Sequence, residues 1–429
     1  MKHVPVIEVR IWGQRVGAAA LDDRLGYYAF AFEPAWRRTG IELAPLTLPL
    51  DTRDPVVFAN LPEATFYRLP GLLADALPDD FGNALIDAWM ADRGFSKNEV
   101  TPLDRLAYMG KRGMGALEFR PARGSHSESS APLEMKSLVE NARKLVEGDL
   151  TIDAHAKAAL GNIIQVGTSA GGARAKAVIA WNPATNAVRS GQFDAAEGFQ
   201  HWLLKFDGVG RDAELGTGAD YGRIEYAYYL MARQAGILMN DCRLLEENGR
   251  AHFMTRRFDR EIVNGQTVKH HIQTLCAIDH IDFKQRATHS YAQLFIVVSR
   301  LRLGDAALDQ VFRRMAFNVM ARNCDDHTKN FAFRLKQGAD WEFAPAYDVT
   351  HAYNPKGEWT YQHLMSVNGK FKDITRDDLL HEADRFSVIR PREALADVRA
   401  ALDSWPTFAK QAGLSDASRD RVAADFLPV

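Results

Sequence analysis

The sequence predicts an α+β fold with a mainly helical C-terminal half, and three observations carry that expectation. The opening is β-rich: "VIEVRIW" (6–12) and "YYAFAFE" (27–33) flank "GQRVG", which reads as a turn. The middle of the chain mixes strand-like and helix-like segments, and from residue 286 onward helical spacing dominates. The 429 residues are 46% hydrophobic and 25% charged, enough apolar material for a sizeable core and enough length for two or three domains.

Taken in order, the first helix spans 77–94, starts near Asp79 and Asp80, and is stopped by Gly94. "PLDRLAYMGKRGMGALEF" (102–119) gives a second helix, a glycine break and a strand. "PARGSHSESSAPLE" (121–134) has linker composition, although an exposed loop within one domain would look the same. Helices follow over 135–148 and 154–167, then strands over 175–183 and 198–208. Residues 221–237 form a helix with Gly236 near its end. Residues 242–260 form two strands around Asn248-Gly249, a hairpin turn signal. The C-terminal half has helices over 286–302, 305–322 and 391–412, the last broken at Pro406. No internal repeat is evident.

A net charge of -2 gives no global pull toward nucleic acid or an acidic membrane. Cys242, Cys276 and Cys324 are too few and too scattered for a disulfide framework or a CxxC metal site, which suits a reducing compartment. The start, "MKHVPVIEVR", lacks the apolar core of a signal peptide. The apolar run "LFIVV" (294–298) falls far short of the roughly 20 residues that span a bilayer. A soluble, cytoplasmic protein is the expectation.

Four constellations bear chemistry. In "GTSAGGARAK" (167–176), Gly167, Gly171 and Gly172 let backbone amides approach an anion. No Lys-Ser/Thr pair follows, so this is not a Walker A loop, and a plain turn reads equally well. In "WLLKFDG" (202–208), Lys205 sits within an apolar strand; it belongs either on a solvated face or against nucleotide phosphates. In "NCDDHTKNFAF" (323–333), Asp325 and Asn330 have the Asp-x4-Asn spacing of a kinase catalytic loop, although "Asn-Cys" replaces His-Arg before the aspartate. A polar helix-capping loop is the alternative. In "FAPAYDVTHAY" (343–353), Asp348 follows a short strand, where a kinase places a metal-binding acid; Tyr-Asp-Val stands in place of Asp-Phe-Gly. These four features occur in kinase order within about 180 residues, and that order says more than any one of them. The histidines, including His270-His271, show no metal-ligand spacing.

"SAGGARAKA", "LLKF", "TRRFDR", "NCDDHTKNF" and "PAYDV" together resemble the HipA family of serine/threonine kinases, the toxins of HipBA-type toxin–antitoxin systems, and "LPDDFGNALID" resembles that family's N-terminal region. The resemblance covers most of the chain. It implies three parts: a HipA-type N-terminal domain over 1–125, a kinase N-lobe-like region over 140–260, and a helical kinase C-lobe over 261–429 that completes a two-lobed, kinase-like core. It implies phosphorylation of a protein hydroxyl with ATP and Mg²⁺, in characterised members on an aminoacyl-tRNA synthetase. By position, Asp325 is the general base, and Asn330 and Asp348 hold Mg²⁺. Lys205, Gly171 and Gly172 contact ATP, and Arg256, Arg257 and Phe258 fall at the adenine-binding hinge. Ser169 matches the autophosphorylated serine. Thr255-Arg256 replaces a common glutamate before "RFDR", so side-chain contacts to adenine are not carried over with the motif. Lys329 is placed to stabilise the transferring phosphoryl group. His327 packs the loop, and Asp326, at the wrong offset from Asn330, is loop structure. The implied partner is a HipB-like helix-turn-helix antitoxin, with DNA reached only through it and no membrane contact. Two alternatives stand beside this: a weakly active kinase fold that serves as the antitoxin's binding partner, and a small-molecule kinase or ATP-grasp-like ligase.

Overall fold

The computed structural model describes residues 2–22, 24–78, 80–123, 132–147, 175–192, 194–209, 220–427 and 429. The expected helix over 154–167 and the glycine-rich loop, with Ser169, Gly171 and Gly172, lie outside the described residues. The chain divides into two compact units interleaved in sequence: Met1–Gly210 with Arg256–Asp282 and Arg334–Asp340, and Arg211–Thr255 with Phe283–Phe333 and Trp341–Val429. A reading along the chain lays domains end to end, as the three expected stretches do.

The first unit opens on a four-stranded antiparallel sheet, ordered Tyr27–Phe32, Gln14–Asp22, Val6–Ile11, Glu118–Arg120. Ile7, Val9 and Ile11 alternate into the core at 0% exposure, as a strand with one buried face requires. The strand Gln14–Asp22 corrects the expected turn at "GQRVG": the reversal occurs at Trp12 and Gly13, both with positive φ, and the chain re-enters the sheet at once. Helices Asp80–Ala91 and Pro102–Met109 follow. The second helix is started by the Thr101–Asp104 capping box. A second sheet places Lys176–Trp181 between Val188–Ser190 and Gln200–Lys205. The unit also contains an antiparallel hairpin, Arg260–Val263 with Gln266–Lys269.

A charge cluster is buried in this unit. Asp259, at 0% exposure, accepts from Arg257 Nε and Nη2 at 2.8 and 2.7 Å, from Arg260 Nη1 at 2.8 Å and from the Gly115 amide at 2.7 Å. Nearby, buried His271 shares a 2.9 Å hydrogen bond between Nε2 and the Leu43 carbonyl. Burial pulls its pKa down to about 4, and does the same to His280. The unfolded rings titrate near 6.5. Above that pH both states are neutral and stability is unaffected. As pH falls from 6.5 toward 4, the unfolded chain takes up protons that the fold refuses, so stability is lost across that window, at up to about 1.4 kcal/mol per pH unit for each ring. Urea midpoints should fall from pH 6.5 to 4.5, less steeply in His271→Gln; equal slopes would contradict this.

The second unit begins with helix Tyr221–Gln234 and the hairpin Cys242–Glu247/Arg250–Arg256, which turns at Asn248 and Gly249, both with positive φ, where the sequence places it. Helices Tyr291–Arg300, Asp305–Met320, Arg376–Arg385, Pro391–Asp403 and Trp405–Gln411 follow. The first of these starts later than the expected 286, because His289–Ser290 forms a short parallel bridge with Met365–Ser366. Tyr291, Phe295, Phe312, Phe317 and Trp405 are buried within this helical core, and Phe295 stacks on Phe386 at 4.6 Å. Among the described residues no helix is long and apolar enough to cross a membrane. The class is α+β with a β-rich opening, as expected.

Candidate functional site

The polar loop emerges from helix Asp305–Met320, turning at Arg322 with φ 56°. Its residues then alternate: Cys324, Asp326 and Thr328 are buried, while Asp325, His327 and Lys329 are partly exposed. Through His327 that period of two is the signature of an extended segment lying on a core, and Thr328–Asn330 then closes into a single helical turn. The buried members are fixed by the residues behind them. Asp326, at 1% exposure, accepts from the Tyr291 hydroxyl at 2.8 Å, from His363 Nδ1 at 2.9 Å and from the Leu364 amide at 2.7 Å. Asn318 Nδ2 donates to the Tyr291 hydroxyl at 2.9 Å, and Asn323 Nδ2 donates to Asn318 Oδ1 at 2.9 Å. His363 Nε2 lies 3.8 Å from Cys324 Sγ. Burial opposes a charge on His363, yet Cys324 and Asp326 outweigh it and hold its pKa at about 10, so the ring is an imidazolium at neutral pH.

The outward members surround an open face. The Asp325 side chain is 48% exposed, and its Oδ1 lies 3.8 Å from His327 Nε2, beyond hydrogen-bond range. His327 packs on Phe283 with ring centroids 5.5 Å apart, and the Lys329 ammonium lies 4.7 Å from the same ring's centroid. Asn330 ends a single helical turn, and its Nδ2 donates to the Asp325 carbonyl at 2.7 Å. The Asp-x4-Asn spacing therefore closes the loop on itself and leaves the amide oxygen as the end available to a cation.

The segment carrying Asp348 runs against this loop. Arg314 Nη2 donates to the Ala344 carbonyl at 2.7 Å, and the Ala346 amide donates to the Leu238 carbonyl at 2.8 Å. The Tyr347 hydroxyl donates to the Lys329 carbonyl at 2.6 Å, and the Cys324 amide donates to the Ala352 carbonyl at 2.9 Å. Between these anchors Asp348 holds φ 56°, a left-handed backbone that costs a non-glycine residue about 1 kcal/mol and persists where surroundings over-determine it. One unit thus brings together Asp325, Lys329, Asn330 and the Asp348 segment.

The remaining predicted residues lie in the first unit. Lys205 ends its strand, 8% exposed, directly opposite Lys176, itself 3% exposed. Lys176 closes "GTSAGGARAK" and was not singled out from sequence. Arg256 is exposed, and the Phe258 carbonyl accepts from Arg334 Nη1 at 2.7 Å. The Arg257 side chain is 1% exposed and held by Asp259, so a contact of this residue with adenine would fall to its backbone. A separate cavity of about 430 Å³, lined among others by Trp12, Lys111, Glu118 and Lys269, contains none of the predicted residues. Tyr291, Asn318 and His363 were also missed. Asn318 alone left a trace, as the one polar side chain in "MAFNVMA".

A family model described as the HipA-like C-terminal domain matches residues 168–419, and one described as the HipA N-terminal domain matches residues 7–120. Among curated proteins, no match was found. Among solved structures, the Shewanella oneidensis MR-1 HipA, from a complex with HipB and operator DNA, matches with a TM-score of 0.68 at 17% identity, over 97% of this chain and 94% of its own. That likeness speaks to the fold. The Helicobacter pylori proinflammatory kinase CtkA matches with a TM-score of 0.35 at 10% identity, over 52% of this chain and 84% of its own.

Proposed function

The chain belongs to the HipA family, and from that premise we propose that it is an ATP-dependent serine/threonine protein kinase acting as the toxin of a toxin–antitoxin pair. The observation that carries the reading is the closed loop 325–330, with Asn330 bonded to the Asp325 carbonyl at 2.7 Å and the Asp348 segment tied to the same loop through Tyr347. In this reading Asp325, half exposed beside the loop's open face, accepts the proton of the substrate hydroxyl. Asn330 Oδ1 and the Asp348 carboxylate are both hard oxygen donors, the chemistry that suits Mg²⁺. A bound Mg²⁺ neutralises charge on the phosphates of ATP. Lys329 adds a cation on the same face, and Lys205 contributes one toward the triphosphate. Gly171 and Gly172 approach the phosphates by backbone, and Arg256 and Phe258 border the adenine. Ser169 is the autophosphorylation site, where an added charge of about -1.5 to -2 would disfavour ATP beside it.

The protein substrate, an aminoacyl-tRNA synthetase in this reading, presents a serine or threonine. A HipB-like antitoxin binds the toxin and carries the contact with DNA. Incubation of the purified protein with labelled ATP, Mg²⁺ and a cell lysate should label protein bands. Label confined to metabolites, or no label at all, would count against the kinase reading. Lys205→Ala should weaken ATP binding about tenfold, near 1.4 kcal/mol, by calorimetry; unchanged affinity would remove Lys205 from the nucleotide site.

A further inference from the structure

Two aspartates stand side by side in the loop, and only one can serve as the outward base. Neighbouring residues of an extended segment point to opposite sides, so a slip of one position would exchange them. Asp325 would then turn inward, and Asp326, one residue closer to Asn330, would face solvent. The sequence "DDH" does not choose between these registers. The tertiary structure does, because three donors behind the loop converge on residue 326. The Tyr291 hydroxyl and His363 Nδ1 both reach Oδ2, and the Leu364 amide takes Oδ1.

These donors come from separate parts of the unit. Tyr291 begins its helix, and His363 and Leu364 precede the bridge of Met365–Ser366 with His289–Ser290. Asn318, on helix Asp305–Met320, orients the Tyr291 hydroxyl. A carboxylate taken out of water needs a counter-charge and filled lone pairs, and Tyr291, His363 and Leu364 supply them to Asp326. The Asp325 side chain, by contrast, is 48% exposed.

We infer that Asp326 is the positioning residue of the loop: the pocket formed by Tyr291, His363 and Leu364 selects it for burial and thereby fixes the register that turns Asp325 outward. This rests on the kinase reading of the loop and goes beyond it, since it assigns a role to three side chains that touch no substrate. The charged state of His363 supports it, because an imidazolium prefers a carboxylate to any neutral side chain at that position. A hydrophobic plug could fill the same space and keep the fold, but it would carry no preference for one aspartate over its neighbour.

That distinction sets the test. Three variants are compared with the full-length wild type: Asp326→Asn, Tyr291→Phe, and the double replacement Asp326→Leu/His363→Leu, which exchanges the buried pair for apolar side chains. For each, kcat and KM for ATP are measured alongside the thermal midpoint and the hydrogen exchange of peptides covering 323–330. Asp326→Asn should lose kcat by about 10²-fold, since a misplacement near 1 Å has that effect, with KM for ATP changed far less. The double replacement should recover the thermal midpoint but not kcat, and loop amides should exchange about tenfold faster in both. Tyr291→Phe, which removes one donor and no volume, should lie between them and the wild type. If the apolar pair restores kcat along with the midpoint, or loop exchange is unchanged in all variants, the inference falls. A wild type that labels no protein would sink the kinase reading instead, and the exchange measurements would still decide the register.

Discussion

Asp325→Asn should lower phosphoryl transfer by about 10²–10⁴-fold, the usual contribution of a positioned general base, and leave the unfolding midpoint unchanged. The two halves of this expectation have separate origins. The amide keeps the shape of the side chain but cannot take the proton of a substrate hydroxyl. The carboxylate it replaces is 48% exposed, so water already solvates its charge in the folded chain. Removing its charge therefore costs the fold little. Initial rates with labelled ATP, read beside a thermal melt, check both halves. A variant retaining more than about a tenth of wild-type rate would exclude Asp325 as the base.

The largest effect on stability is expected at Asp259. Asp259→Ala leaves the guanidinium groups of Arg257 and Arg260 buried without their carboxylate and the Gly115 amide without its acceptor. Breaking a buried pair in this way costs about 3–5 kcal/mol. The pH dependence follows the same chemistry. Burial pushes the Asp259 carboxyl up, but Arg257 and Arg260 outweigh it and hold the group well below the usual carboxylate range. Its stabilisation is therefore fully present above the unfolded pKa of about 3.9 and is lost as pH falls below that toward the folded value. The variant should be weaker than wild type by a constant amount from pH 5 to 8, with the gap narrowing only below about pH 4, separate from the histidine window above it. Urea denaturation at both ends of that range measures it. A loss under about 1 kcal/mol at neutral pH would contradict the account.

The two aspartates show how differently sequence exposes function and structure. Asp325 was legible because its spacing to Asn330 is a local property, and here that spacing closes one loop through one hydrogen bond. Asp259 stands in "TRRFDR" only as part of a family motif, and the same motif suggests Arg257 as a nucleotide contact. Nothing in the string says that Arg257 turns back onto a carboxylate two residues away, or that this carboxylate also accepts from the Gly115 amide 144 positions upstream. The hairpin at Asn248-Gly249 was likewise legible because the turn residues set their own backbone. The strand Gln14–Asp22 was not, because its edge residues resemble turn chemistry until the neighbouring strands claim them.

Family membership, the α+β class, the order of the helices and the spacing within the polar loop are written in the sequence alone, since each depends on residues close together or on periodic burial. The tertiary structure alone decided that two units interleave, that Arg257 is interior, that Asp348 sits in a left-handed backbone, and that Asp326 rather than Asp325 is buried. Each of these depends on partners far away along the chain: Tyr291, His363 and Leu364 meet Asp326 across 35 to 38 positions. A side chain's environment is set by which distant groups folding brings beside it, and burial with those groups, rather than residue type, fixes whether a carboxylate anchors the chain or faces solvent.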